Sequence, residues 1–283
     1  MLRYPALLLI LLVCPAIAMG YNSSYEERIA KQLAEGKPEK EVVWLKASGR
    51  EFIALYQDYK SLQPKGAVIL LHAMGGHPDW PEVVSPLRNL LPELGWATLS
   101  LQMPVLSPEE SIADYGKTLG DAKLRIDAAV QQLRDRRFLN IVVIGYSFGA
   151  ATAVHTLSGN EIKNVNAFVG ISMQAQQFLN PKLKLLRELE TVSIPMLDIY
   201  GSRDTLEVRR EVHDRRLAAR KNGNSAYQQM VIEGADHYFT GLIEVLVKRI
   251  NGWLAKSLGE IRAMEEDETG DATSPKQGAK TGE

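Results

Sequence analysis

The feature that most constrains the fold is a succession of short, apolar-rich runs separated by helix-length amphipathic stretches. Residues 66–71 (GAVILL), 97–101, 140–144 (NIVVI), 167–171, 196–200 and 227–232 each read as strands. Helical patterns fall between them at 81–94, 112–136, 148–157, 181–190, 206–221 and 239–257. Runs this short, with little polar alternation, mark strands buried on both faces. Burial on both faces requires helices above and below the sheet. Two more β-rich runs, 41–47 and 51–59, flank Ser48-Gly49 as a leading hairpin. The expectation is an α/β chain with three layers, a mostly parallel sheet and helices on both sides. No internal repeat is present.

A chain of 283 residues is long enough for one large or two small domains. Lys and Arg total 33 against 34 Asp and Glu. This balance argues against a nucleic-acid or anionic-membrane binder, which needs a basic surplus. Residues 1–18 carry Arg3, an apolar run from Ala6 to Val13 and a small-x-small site at Ala16-Ile17-Ala18. This is the pattern of a cleaved secretory signal, and the run is too short to span a bilayer. The expected protein is therefore exported, to the periplasm or the medium of a bacterium, with no stable membrane anchor after cleavage. The sole cysteine, Cys14, leaves with the signal, which excludes disulfides and a thiol nucleophile from the mature chain. Residues 19–40 read as a polar, helix-compatible, mobile lead-in, 41–258 as the folded domain and 259–283 as a disordered tail.

Gly145-Tyr146-Ser147-Phe148-Gly149 follows the NIVVI strand and opens a helix. A serine hydroxyl is a poor nucleophile unless lifted clear of its surroundings beside a base. A tight strand-to-helix turn does this, and it tolerates only tiny residues two positions to either side. The rival reading is a glycine-rich strand end whose serine caps a helix. An acid and a histidine should follow on later strand ends. Asp204 stands in GSRD after 196–200, and His237 in GADH after 227–232. Here His237 would accept the Ser147 proton while Asp204 fixes the imidazole. Glu233 stays open as an alternative acid, Asp236 is too close in sequence, and Asp198 reads as a satisfied core acid. Oxyanion donors are expected from the backbone N–H of Phe148 and of Met74, in the loop HAMGGH after GAVILL. His72 reads as a structural link from loop to sheet. His77, Trp80, Met103, Met173 and Phe178 are candidates for the substrate pocket. The histidines are too dispersed for a metal site, and no cofactor is called for.

The HAMGG loop, GYSFG, GSRD and GADH, in that order, resemble the α/β-hydrolase superfamily over residues 41–257. HAMGGHPDWP and GWATLSLQMP also resemble a group of exported bacterial α/β-hydrolase-like proteins of unassigned function. The resemblance implies an eight-stranded sheet with a reversed second strand and a Ser-His-acid triad at Ser147, His237 and Asp204. It departs at Ala73, where the family's loop has glycine; a left-handed backbone there would displace the Met74 amide. The stretch 173–192 is too short for a large lid. The function expected is a serine hydrolase acting through an acyl-enzyme on carboxylic esters with small or medium acyl groups. The alternatives are a fold-retaining binding or scaffolding protein without turnover, and a cofactor-free perhydrolase.

Overall fold

A computed structural model describes residues 23–259 apart from 161 and 222; the expected signal at 1–18, and the expected tail beyond Gly259, lie outside the described residues. Eight strands form one sheet: β1 (Val42–Ala47), β2 (Arg50–Gln57), β3 (Gly66–Leu71), β4 (Trp96–Leu101), β5 (Ile141–Tyr146), β6 (Ala167–Ile171), β7 (Met196–Gly201) and β8 (Tyr227–Ile232). Their spatial order is β1-β2-β4-β3-β5-β6-β7-β8. β2 runs against both neighbours, and the remaining pairs are parallel. The hairpin between β1 and β2 turns through Ser48 and Gly49, both at positive φ, as a two-residue type I′ turn requires.

The helices are α1 (Ser23–Gly36), α2 (Val84–Leu90), α3 (Leu119–Asp135), α4 (Phe148–Leu157), α5 (Leu185–Leu189), α6 (Leu206–Arg210), α7 (Val212–Lys221) and α8 (Ile243–Leu258). Strand side chains alternate between two cores. Ile69 and Val143 face the core built with α3 and α4, while Leu70 and Ile144 face the one built with α2 and α8. Both faces are covered, which is why these strands show no polar alternation. Asp198, inside β7, is fully buried and accepts hydrogen bonds from Arg215, Tyr227 and Gln229, as a satisfied core acid should. The segment between β6 and β7 contains only the five-residue α5, so no lid domain rises there.

Three expectations change. Residues 24–40 are not a mobile lead-in. They form α1 and a short turn, with Ala30 packed on Ile53 and Leu55 of β2. The anchor is an ion pair, Glu26 to Arg125 of α3 at 2.6 Å, invisible to a search for apolar stripes. The amphipathic pattern at 112–136 opens with 3-10 turns over Ile112–Thr118, and α3 begins only at Leu119. There Gly116 presses against the Pro181 backbone, and Asn180 N–H bonds Ala113 O. The single helix expected at 206–221 is two, split at Glu211, whose carboxylate is bonded by the Ala175 N–H.

Candidate active site

The β5–α4 junction holds Ser147 at φ 53 and ψ −113, a left-handed conformation that costs of order 1–3 kcal/mol for a residue with a side chain. Two glycines make it possible. A Cβ on Gly145 would lie 2.5 Å from Gly149 O, and one on Gly149 would lie 2.5 Å from Leu71 O and 2.6 Å from His72 O. The start of α4 therefore rides directly on the end of β3. The Ser147 N–H is tied to Ile171 O of β6 at 2.8 Å. The side-chain hydroxyl makes no hydrogen bond to another described residue, His237 included, and so stands uncommitted at the turn.

Asp204 and His237 meet as their sequence positions predict. His237 Nδ1 donates to Asp204 Oδ1 at 2.6 Å, which orients the imidazole. Asp204 is buried. Its Oδ1 also accepts from Thr205 N–H, and its Oδ2 from Ser172 Oγ and Gly201 N–H. Burial alone would raise its pKa, but the hydrogen bonds from His237 and Ser172, and the His237 charge, outweigh burial and hold the carboxyl below the usual range. The loops carrying the pair are joined through Arg203 N–H to Ala235 O and Ser202 N–H to Ile232 O. His237 stands beside Ser147's neighbour: the Tyr146 ring is 5.3 Å from the imidazole, and its hydroxyl donates to His237 O at 3.2 Å. Burial raises the Tyr146 pKa, so the phenol remains a donor.

The loop after β3 is equally fixed. His72 is buried, with Nδ1 donating to Ala73 O and Nε2 accepting from Met103 N–H. It links loop to sheet, the structural part expected of it. Ala73 does not have a positive φ; the left-handed position is Gly75, at φ 67, so alanine is unstrained and the Met74 amide is not displaced on that account. Gly75 N–H donates to Tyr115 OH, and the Tyr115 ring packs edge-on against Phe148 at 5.5 Å. Neither Phe148 N–H nor Met74 N–H has an acceptor among the described residues; the former is one of the amides a helix start leaves open.

The pocket candidates scatter. His77 and Trp80 are half-buried and packed edge-to-face. Between them Asp79 is held by Lys37, Arg88 and Ser85, so it orders the loop. Met103 and Met173 are buried in the same core as Phe148. Phe178 is exposed on a separate surface cavity that neither Ser147 nor His237 lines. The rival acids fall away: Glu233 accepts from Ser202, and Asp236 caps Tyr238 N–H and Thr240 N–H. His155 pairs with Glu188 on the far helix. Among the described residues no group of three or more metal-ligating side chains is assembled. Sequence reasoning missed Ser172, Tyr146 and Tyr115. The signal for Ser172 was a hydroxyl immediately after the apolar β6, at the strand end next to the acid's strand.

Solved structures share this architecture. Est1E from Butyrivibrio proteoclasticus matches at 14% identity with a TM-score of 0.59, over 77% of this chain and 98% of that one. A putative alpha/beta hydrolase of unknown function, ATU1826 from Agrobacterium tumefaciens, matches at 22% identity and 0.59, over 80% and 99%. The esterase Pf2001 of Pyrococcus furiosus matches at 22% identity and 0.62, over 77% and 92%. At these identities the likeness establishes the α/β-hydrolase fold. No curated protein matches the sequence. With its sheet order, its elbow and its acid–histidine pair in that fold, and with residues 21–119 and 108–256 matching the family's pattern, the chain belongs to the family described as Protein of unknown function (DUF3530).

Proposed function

We propose that the protein is a serine hydrolase that cleaves carboxylic esters of small or medium acyl groups through an acyl-enzyme. The observation that carries this reading is the Asp204–His237 bond, whose imidazole packs against Tyr146, the residue before a strained, uncommitted Ser147. In the first step Ser147 Oγ attacks the ester carbonyl while its proton passes to His237 Nε2. Asp204 stabilises the imidazolium without taking the proton. The carbonyl oxygen, now an oxyanion, is met by the N–H groups of Phe148 and Met74, each worth about 2.7–4 kcal/mol in such sites. The intermediate collapses as the alcohol leaves with the proton from His237. Water then enters, gives a proton to His237 and its hydroxide to the acyl carbon, and the acid leaves as Ser147 recovers its proton. The signal-like segment at 1–18 supports action after export.

The test is labelling by a fluorophosphonate probe together with hydrolysis of 4-nitrophenyl acetate. The wild-type protein should label at Ser147 and hydrolyse the ester. Ser147→Ala should abolish labelling and lower kcat/KM by about a thousandfold or more. Wild-type protein that neither labels nor turns over would leave the scaffold alternative standing.

A further inference from the structure

Between the loop that follows β6 and helices α6 and α7 lies a cavity of about 470 Å3. Gln176 and Phe178 form one wall, and Glu207, Arg210, Glu211 and Asp214 the other. Gln176 is only 6% exposed, yet its side-chain amide makes no hydrogen bond to any described residue. The amide is not sealed from solvent, so cavity water is its only partner. Its polar atoms line the cavity, so a ligand can complete them. Phe178, 48% exposed, presents its ring to the same space. Glu211 already spends one oxygen on Ala175 N–H, which holds the two walls together.

We infer that this cavity binds a neutral polyhydroxylated ring, a sugar-type group, stacked on Phe178 and hydrogen-bonded to Gln176 and the facing carboxylates. The choice follows from donor and acceptor arithmetic. An amide carries both an acceptor oxygen and two N–H donors, and a hydroxyl both donates and accepts. Vicinal hydroxyls therefore satisfy Gln176 fully and donate to Glu207 and Asp214. An ammonium group is attracted by the three carboxylates, which outnumber Arg210, but it only donates and so leaves the Gln176 N–H groups unmet. An anion is opposed by three carboxylates. Both walls connect to the acid along the chain: the loop begins at Ser172, which bonds Asp204, and α6 begins at Leu206, two residues beyond Asp204. On the hydrolase reading, on which this further step rests, the cavity is a subsite apart from the reacting serine, and the substrates it favours are esters that carry such a ring.

Binding is measured by ligand-observed NMR on the full Ser147→Ala protein, so that turnover is irrelevant. The probes are the methyl glycosides of glucose, galactose and xylose, with choline as the ammonium probe. At least one glycoside is expected to bind with millimolar affinity and choline not to bind. Phe178→Ala, at an exposed position, should weaken the glycoside about tenfold or more, and Gln176→Leu should do the same while keeping the side chain's bulk. Melting curves identify a variant that fails to fold, and Phe178→Ala then decides alone. No glycoside binding at tens of millimolar, preference for choline, or binding indifferent to Phe178→Ala would overturn the assignment. Glycoside binding by a wild-type protein that takes no fluorophosphonate would refute the hydrolase reading and leave the cavity's ligand in place.

Discussion

The imidazole of His72 is fixed by opposite demands on its two nitrogens, with Nδ1 2.7 Å from Ala73 O and Nε2 3.0 Å from Met103 N. Burial pushes its pKa down to about 3. Above the ordinary imidazole value neither the folded nor the unfolded chain holds a proton there, and stability is indifferent to pH. Below it the unfolded chain takes a proton that the folded chain refuses, so stability falls as pH falls, by about 1.4 kcal/mol per unit. The loss from His72 alone is about 2 kcal/mol at pH 5 and stops growing once the folded-state value is passed. Asp204 works in a different window. Its depressed carboxyl stabilises the fold at every pH above the ordinary carboxylate range and loses that contribution only below it. Urea unfolding at pH 7 and pH 5 separates the two: wild type should lose about 2 kcal/mol more across that interval than His72→Gln. Equal losses would mean that the imidazole titrates in place.

At the scale of elements, the elbow depends on backbone packed against backbone. Gly149→Ala would drive a Cβ into Leu71 O and His72 O, and neither can swing aside. Alanine normally stabilises a helix interior by up to about 1 kcal/mol over glycine, so the sign here is set by the clash. Gly252, inside α8, has nothing within 4 Å of its would-be Cβ. Thermal melting should show Gly252→Ala gaining stability and Gly149→Ala losing it, with loss of fluorophosphonate labelling in the latter. A stable, labelled Gly149→Ala would show that the junction has slack. This contrast also marks what was legible in the sequence. β3, α4, β6 and β8 were readable to the residue because a local period and a local glycine pair define them. The strand-to-helix turn at Ser147 and the meeting of Asp204 with His237 follow from the same local patterns, each residue lying in the turn or loop that follows a strand. Gln176 and Ser172, at φ 50 and 51, were not readable, because contacts from distant segments impose their conformations. Phe178 was picked for its apolar ring, but which cavity it faces depends on α6 and α7, packed from further along the chain.

Across the whole molecule, one polar thread joins the first helix to the candidate site. Glu26 of α1 meets Arg125 of α3; the same guanidinium donates to Gln102 O and lies 4.9 Å from the Phe52 ring centre. Gln102 in turn donates to Met103 O, and Met103 N–H reaches His72 at the base of the oxyanion loop. Burial pushes the Glu26 pKa up against the pull of Arg125, so the carboxylate depends on its partner. Removing one member of a buried pair costs more than removing both, because the survivor keeps its desolvation cost and loses its compensation. Arg125→Met should therefore lower the unfolding free energy by about 3–5 kcal/mol, and Arg125→Met with Glu26→Leu should recover a large part of it. Urea unfolding of wild type, single and double variants reads the difference directly. A double variant no more stable than Arg125→Met would locate Arg125's contribution in Asp121, Gln102 O and Phe52 instead of Glu26.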